Sequence, residues 1–264
     1  MASYRYRAQI PCGELNKSGI TASINNGKGN IVIFSKPVED DIRLAKDVKR
    51  SGGCVITDIG DNHFNTMPHY KEILSLADYC VCPTEIMKQI QKGLGRDSVI
   101  IPDPYEEEIQ NPHAQGNKLL WHGHNTNIED IKSYLPHLNG KNLTMVTGPK
   151  KIGSALEWSP KVIKEELAKA NIVLLPTRKG AEYKSPNRLV NALMSGCFPI
   201  CSPHPAYDEF KQFCWVGEIV TGIRWAEHFT DDLNDLVSQG QEYCRDRFSP
   251  KVVGEKWKAL LESI

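Results

Sequence analysis

No run of this chain approaches the roughly 20 apolar residues that a membrane-spanning helix needs, and Met1-Ala2-Ser3-Tyr4-Arg5 lacks the apolar stretch of an export signal. The expectation is a cytoplasmic protein without a membrane span. Neither sign of charge is in excess, since 32 Lys and Arg stand against 32 Asp and Glu. That balance excludes a broadly cationic surface, and so bulk duplex nucleic acid as a partner favoured by charge alone, but leaves a local basic patch open. None of the eight Cys, at positions 12, 54, 80, 82, 197, 201, 214 and 244, belongs to a CxxC pair, so they read as reduced core thiols. Repeats and low-complexity tracts are missing as well. What is there is ordinary globular material: 40% hydrophobic and 24% charged residues. A length of 264 residues suits two domains of roughly 100 to 150 residues each.

The most informative stretch runs from Ile172 to Pro205. Ile172 to Leu175 is an apolar run of strand length, ended by Pro176, which lacks the N–H of a continuing ladder. The loop that follows gathers Arg178, Lys179, Glu182, Lys184, Ser185, Asn187 and Arg188. A helix is expected to start at Pro186 or Asn187 with Ser185 as its N-cap, to turn Leu189, Val190, Leu193 and Met194 inward, and to stop at Gly196. Phe198 to Cys201 is then a second strand. A helix N-terminus offers unpaired N–H groups and partial positive charge, and cations beside it suit a diphosphate. The same charges also read as a solvated surface loop.

Elsewhere the pattern alternates. Strands are expected at Ile31–Phe34, Cys54–Thr57, Tyr79–Cys82, Val99–Ile101, Lys118–Trp121, Leu143–Val146 and the short pair Ile219–Val220. Helices are expected at Glu39–Ser51, Tyr70–Leu76, Glu85–Leu94, Ile128–Leu138, Lys161–Ala170, Trp225–Gln239 and beyond Gln241, broken at Phe248-Ser249-Pro250. Residues 1 to 20 hold a short helical stretch, and a first strand is either missing there or degenerate. Arg5 and Arg7 read equally as ligands of a phosphate and as surface arginines. Asp58-Ile59-Gly60-Asp61-Asn62-His63-Phe64 is a polar loop at a strand's C-terminal end, where α/β proteins place ligand groups. His63 could bond a sugar hydroxyl, with Asp58 or Asp61 orienting it or meeting an acceptor hydroxyl; alternatively Asp61 and Asn62 form a turn and His63 caps a helix. His122-Gly123-His124 follows a strand, Gly123 allowing close backbone approach, and His122 and His124 are expected to face opposite ways if extended and so not to share a metal. Lys150 and Lys151 lie in a strand-end loop that reads as a phosphate or base contact or as a plain turn.

Lys184-Ser185-Pro186-Asn187-Arg188-Leu189-Val190-Asn191-Ala192-Leu193, followed by Gly196 and Pro199, resembles the donor-site segment of GT-B glycosyltransferases, especially the family 4 type of bacteria or phages. The loop from Asp58 to Phe64, with Tyr70, Ala77-Asp78 and Pro83-Thr84-Glu85 after it, is similar to the N-terminal domain of such enzymes. The resemblance implies an α/β fold of two Rossmann-like domains facing across a cleft: residues 1–108 on the acceptor side, 109–245 for the donor, and a C-terminal helix at 246–264 packing back on the first domain through Val252, Val253, Trp257, Leu260 and Leu261. It implies transfer of a sugar from a nucleotide-sugar co-substrate, with no cofactor and no metal, to an unknown acceptor: a glycan, a lipid-linked sugar, a small molecule or a modified DNA base. Catalytic roles would fall to His63, Asp61 and Asp58, and donor binding to Gly123, Arg178, Lys179, Lys184, Ser185, Asn187, Arg188 and Asn191. Asn191 stands where the family usually carries a ribose-binding glutamate, which leaves a non-catalytic GT-B-like binding module as the rival reading.

Overall fold

The computed structural model describes residues 4–24, 29–106, 109–149 and 153–264. Lys150 and Lys151 lie outside the described residues, as do Glu107 and Glu108 of the segment joining the two halves. The chain divides into two compact units. One is Met1–Pro104 with Glu182–Ser185 and Arg247–Ile264; the other is Tyr105–Ala181 with Pro186–Asp246.

The first unit begins with a π-helical turn, Arg5–Gln9, running into α1 (Ile10–Lys17). Among the described residues this stretch is helical, so a degenerate first strand is not found in them. A parallel sheet follows: β1 (Ile31–Ser35), α2 (Asp41–Arg50), β2 (Cys54–Asp58), α3 (Pro68–Leu76), β3 (Tyr79–Cys82), α4 (Glu85–Gly93) and β4 (Val99–Ile100), with the strands side by side in the order β1-β2-β3-β4. Successive strand residues point to opposite faces. Val55, Cys80 and Cys82 accordingly pack with Ala45 and Val48 of α2, Ile73 and Leu74 of α3 and Met87 of α4. Ile56 and Val81 face the other way, onto Leu15 of α1.

The second unit carries a six-stranded, all-parallel sheet. Its elements are β5 (Lys118–His124), a 3-10 turn at Asn125–Asn127, α5 (Ile128–Lys132), β6 (Asn142–Gly148), β7 (Leu156–Glu157), α6 (Pro160–Lys169), β8 (Ile172–Leu175), α7 (Asn187–Met194), β9 (Phe198–Cys201), β10 (Trp215–Val216), α8 (Ile219–His228) and α9 (Leu233–Phe248). The strand order is β10-β9-β8-β5-β6-β7, which in order of appearance is the 3-2-1-4-5-6 arrangement of a Rossmann sheet. Strand direction of winding therefore reverses between β5 and β8. At Gly196 the φ of 82° and the carbonyl of Asn111, 2.4 Å from where a Cβ would sit, leave room for glycine alone.

Three expectations are corrected here. The helix expected over Ile128–Leu138 ends at Lys132 and gives way to a 3-10 turn at Leu135–Leu138, where Pro136 cannot supply a helical N–H. Ile219 and Val220 open a helix, because the Glu218 carboxylate accepts from the N–H groups of Val220 and Thr221 and caps it. The break between α8 and α9 falls at Phe229–Asp232, and Gly240 lies inside α9.

Ser249 caps the last helix, α10 (Pro250–Glu262), accepting from the N–H of Val252, with proline at the first position. Val253, Trp257 and Leu260 of α10 join the first unit's core against Leu15, Ile56, Val81 and Ile101. Gly254 lets α1 approach closely, since a Cβ there would lie 2.5 Å from the Cβ of Glu14.

Candidate functional site

In parallel α/β sheets ligand groups collect beyond the C-terminal ends of the strands, above all where strand order reverses. In the second unit that place lies between β5 and β8. β5 runs three residues further than expected, so His122, Gly123 and His124 are sheet residues, paired with Val146, Thr147 and Gly148 of β6. Arg188 from the first turn of α7 and Arg178 from the β8–α7 connection reach back to the end of β5 and to the turn that follows it. Arg188 donates from Nη1 to the His122 carbonyl at 3.3 Å. Arg178 donates from Nη1 to the Thr126 carbonyl at 3.2 Å and from Nη2 to Asn127 Oδ1 at 3.4 Å. A Cβ at Gly123 would stand 3.2 Å from the Trp121 ring and 3.7 Å from Arg188 Nη1, so the glycine keeps this strand end low beside the cation.

α7 starts at Asn187 with Pro186 at the N-cap and no side chain accepting from its first N–H groups. Ser185 is therefore not the cap. Its hydroxyl donates instead to Asp103 Oδ2 in the first unit. The N-terminal N–H groups of α7 stand beside Arg188, the second residue of the helix, an arrangement that favours an anion. Asn187 is half-buried at the helix start, while Arg178 and Lys179 are exposed.

The ionisable groups around Arg188 answer to it. Burial, with the Arg188 charge next, lowers the His122 pKa to about 3, so this imidazole is neutral, and its Nε2 has no hydrogen-bond partner among the described residues. Burial pushes the Tyr207 phenol up, opposed by Arg188, to which it is hydrogen-bonded along with Thr177. Burial also raises Asp130, against the pull of Arg178 and Arg188; its Oδ1 lies 3.9 Å from Arg178 Nε. Asp130 and Thr177 escaped the sequence reading, and no local spacing announces either. His122 and His124, two apart on one strand, share a face, so alternation does not separate them. Their partners do, because His124 Nδ1 is engaged with the Thr126 hydroxyl at 2.9 Å.

Asn191 is buried, and its Oδ1 accepts from the backbone N–H of Glu106 at 3.2 Å. That amide oxygen ties down the start of the second unit, where the sequence reading pointed it at a ribose. Glu182 is exposed and groups with the first unit.

The first unit has two polar clusters at the ends of its strands. In one, Arg7 is buried and bridges two carboxylates. It meets Asp58 through Nε (3.1 and 2.9 Å) and Nη2, the Ile101 carbonyl through Nη1 at 2.6 Å, and Asp103 at 3.2 Å. Burial alone would lower the Arg7 pKa, but Asp58 and Asp103 more than offset it and hold the guanidinium charged. Both readings of Arg7 are thus replaced: it is neither a phosphate ligand nor a surface residue. Asp58, 1% exposed with its oxygens bound by Arg7, is withdrawn from any acceptor hydroxyl.

In the other cluster Asp61 lies between two lysines. Lys36 Nζ is 3.3 Å from Oδ2 and Lys184 Nζ is 2.5 Å from Oδ1. Burial would raise the Asp61 carboxyl, and Lys184 with Lys36 outweighs it, holding the pKa below the usual carboxylate range. The His63 ring meets Tyr70 edge-on, centroids 5.4 Å apart, and caps no helix. Lys184 and Ser185 therefore sit with the first unit, and Arg178, Lys179, Asn187, Arg188, Asn191 and Gly123 with the second. Among the described residues no group of three or more His, Cys, Asp or Glu is placed to hold a metal ion, and no helix is long and apolar enough to cross a membrane.

No family model matches the chain, and no curated protein matches it by sequence. Solved structures match in fold. Anabaena HepE, whose structure is in complex with UDP-glucose, superposes with a TM-score of 0.66 at 11% identity over 88% of this chain and 79% of that one. TarM gives 0.63 at 13% identity over 87% of this chain, which spans only 54% of TarM. An α1,3-fucosyltransferase gives 0.60 at 12% identity, covering 96% and 84%. At such identities the likeness is one of fold, and the fold is the pair of Rossmann-like domains found in GT-B glycosyltransferases.

Proposed function

We propose that this chain is a glycosyltransferase of the family 4 type, moving a sugar from a nucleotide-sugar donor to an acceptor hydroxyl with retention of configuration and without a metal. The observation that carries the reading is the pair Arg178 and Arg188, spanning the point between β5 and β8 beside the uncapped start of α7. Two cations and a helix N-terminus suit a diphosphate, and the UDP-glucose in complex with HepE carries one. As the bond from the anomeric carbon to the diphosphate breaks, negative charge grows on the departing oxygen. Arg188 and the N–H groups of α7 would stabilise that charge more than the ground state, which is what accelerates the step. Lys179 and Asn187 are assigned to the same donor, Gly123 admits it to the end of β5, and His63 with Asp61 is assigned to the acceptor side. Metal ions are not needed in this scheme because chain cations take their part. Eight free thiols fit a reducing compartment such as the cytoplasm.

One observation favours the rival, a non-catalytic nucleotide- or sugar-binding module: Asn191 Oδ1 is taken by Glu106 N–H where the resembled enzymes carry a ribose ligand. The acceptors open to an active enzyme are a glycan, a lipid-linked sugar, a small molecule or a modified DNA base, and 32 acidic residues balancing 32 basic ones do not favour DNA. The two readings separate in a turnover assay. The protein is incubated with UDP-, GDP-, ADP- and dTDP-glucose and free nucleoside diphosphate is measured. Slow release from one donor, abolished in Arg188→Ala, supports the transferase; no release from any donor supports the module.

A further inference from the structure

The first unit carries a charge arrangement that the donor reading does not use. Lys36 directly follows β1, Asp61 lies in the loop after β2, and Lys184 comes from the segment Glu182–Ser185. The two ammonium groups bind different oxygens of the one carboxylate, at 3.3 and 2.5 Å. Each ammonium has three N–H donors and spends one on Asp61. Their side chains remain 41% and 49% exposed, while that of Asp61 is 16% exposed, so the cations rather than the carboxylate face solvent. Two positive charges against one negative leave the cluster at +1. Lys36 is also the one non-glycine residue with positive φ, 54°, among the described residues. A lysine held in the left-handed region is kept there by its surroundings, and such positions concentrate at functional sites. The strand-end location is the one where parallel α/β units receive ligands.

We propose that Lys36 and Lys184 form a binding site for an anionic group and, resting on the glycosyl-transfer reading above, that the acceptor carries it as a carboxylate or phosphate. Asp61 spaces the two ammonium groups so that one anion can bridge them. The site selects for charge on the acceptor and does not require a particular ring.

The test is calorimetric titration of the full chain with glucose 6-phosphate, glucuronate and uncharged glucose at one ionic strength, with UDP titrated in parallel. One or both anions should bind saturably while glucose at the same concentration does not; which anion binds tells phosphate from carboxylate. Lys36→Met should weaken the anion about tenfold, since it removes one charge-assisted hydrogen bond. Lys36→Arg should keep most of the affinity, and Lys92→Met, an exposed lysine at the end of α4, should change nothing. Circular dichroism on each variant separates loss of binding from loss of fold. The proposal is overturned if neither anion binds, if glucose binds as well as they do, or if folded Lys36→Met and Lys92→Met behave alike. UDP binding is the independent readout. If UDP fails to bind wild type while the anions do, the donor reading falls and the anion site stands; if UDP binds and the anions do not, the reverse holds.

Discussion

Arg7 grips Asp58 edge-on, its Nε 3.1 and 2.9 Å from the two carboxylate oxygens, 51 residues away in sequence and shut off from solvent. A buried charge that loses its partner is left without compensation, at a cost of about 3–5 kcal/mol. Arg7→Met and Asp58→Asn should each lower the free energy of unfolding by that order, read from denaturant midpoints. The pair Arg7→Met/Asp58→Leu should recover a good part of the loss, because removing both charges removes the desolvation cost too. Two single variants as stable as wild type would mean that the ion pair does not organise the first unit.

His122 makes a pH prediction. Burial and the neighbouring Arg188 lower its folded pKa to about 3. In the unfolded chain it takes up a proton near the ordinary value of about 6.5. Between those values the unfolded state binds the extra proton, so stability falls as pH drops, by up to about 1.4 kcal/mol per pH unit from this group. His122→Gln should flatten that part of the acid limb. The imidazole of His122 should stay neutral at pH 5 in heteronuclear NMR, and a titration near pH 6.5 in the folded protein would contradict the burial argument.

Asp61 acts at lower pH. Its folded pKa is depressed, once burial has been outweighed by Lys184 and Lys36. A depressed carboxylate contributes stability that is fully present above the unfolded value, about 3.9, and is lost as pH falls through the folded one. Asp61→Asn should therefore be less stable than wild type at pH 6, with the gap narrowing as pH falls below about 3.9. The difference should be modest because the two lysines are half-exposed. A gap that persists unchanged at pH 2 would assign the effect to packing.

The strand–helix–strand unit from Ile172 to Cys201 was legible because every signal in it is local: a four-residue apolar run, a proline stop, a helix face of Leu189, Val190 and Leu193, and a glycine that must take positive φ. Ser249-Pro250 announced α10 for the same reason. The polar and cationic residues of the β8–α7 connection were legible as a group but not in their partners, since Lys184 and Ser185 are held by Asp61 and Asp103, 123 and 82 residues away. No spacing along the chain encodes such pairings. Arg7 read as a phosphate ligand or a surface residue because nothing near it in sequence is its partner. Ile219-Val220 read as a short strand, and the signal that decides otherwise, Glu218 capping two backbone N–H groups, was present one residue earlier. Asn191 stood out as the departure from the resembled pattern, and its partner Glu106, 85 residues back, could be seen only in the folded chain.

The central claim is that the second unit holds a nucleoside diphosphate through Arg188 at the start of α7. The direct measurement is calorimetric titration of wild type, Arg188→Lys and Arg188→Ala with UDP, GDP, ADP and dTDP, each alongside its monophosphate. The account predicts that one diphosphate binds wild type more tightly than its monophosphate, that Arg188→Ala weakens it about tenfold or more, and that Arg188→Lys falls between, since it keeps the charge and loses the planar fork. Equal affinity in wild type and folded Arg188→Ala, or no binding of any of the four diphosphates, would contradict it.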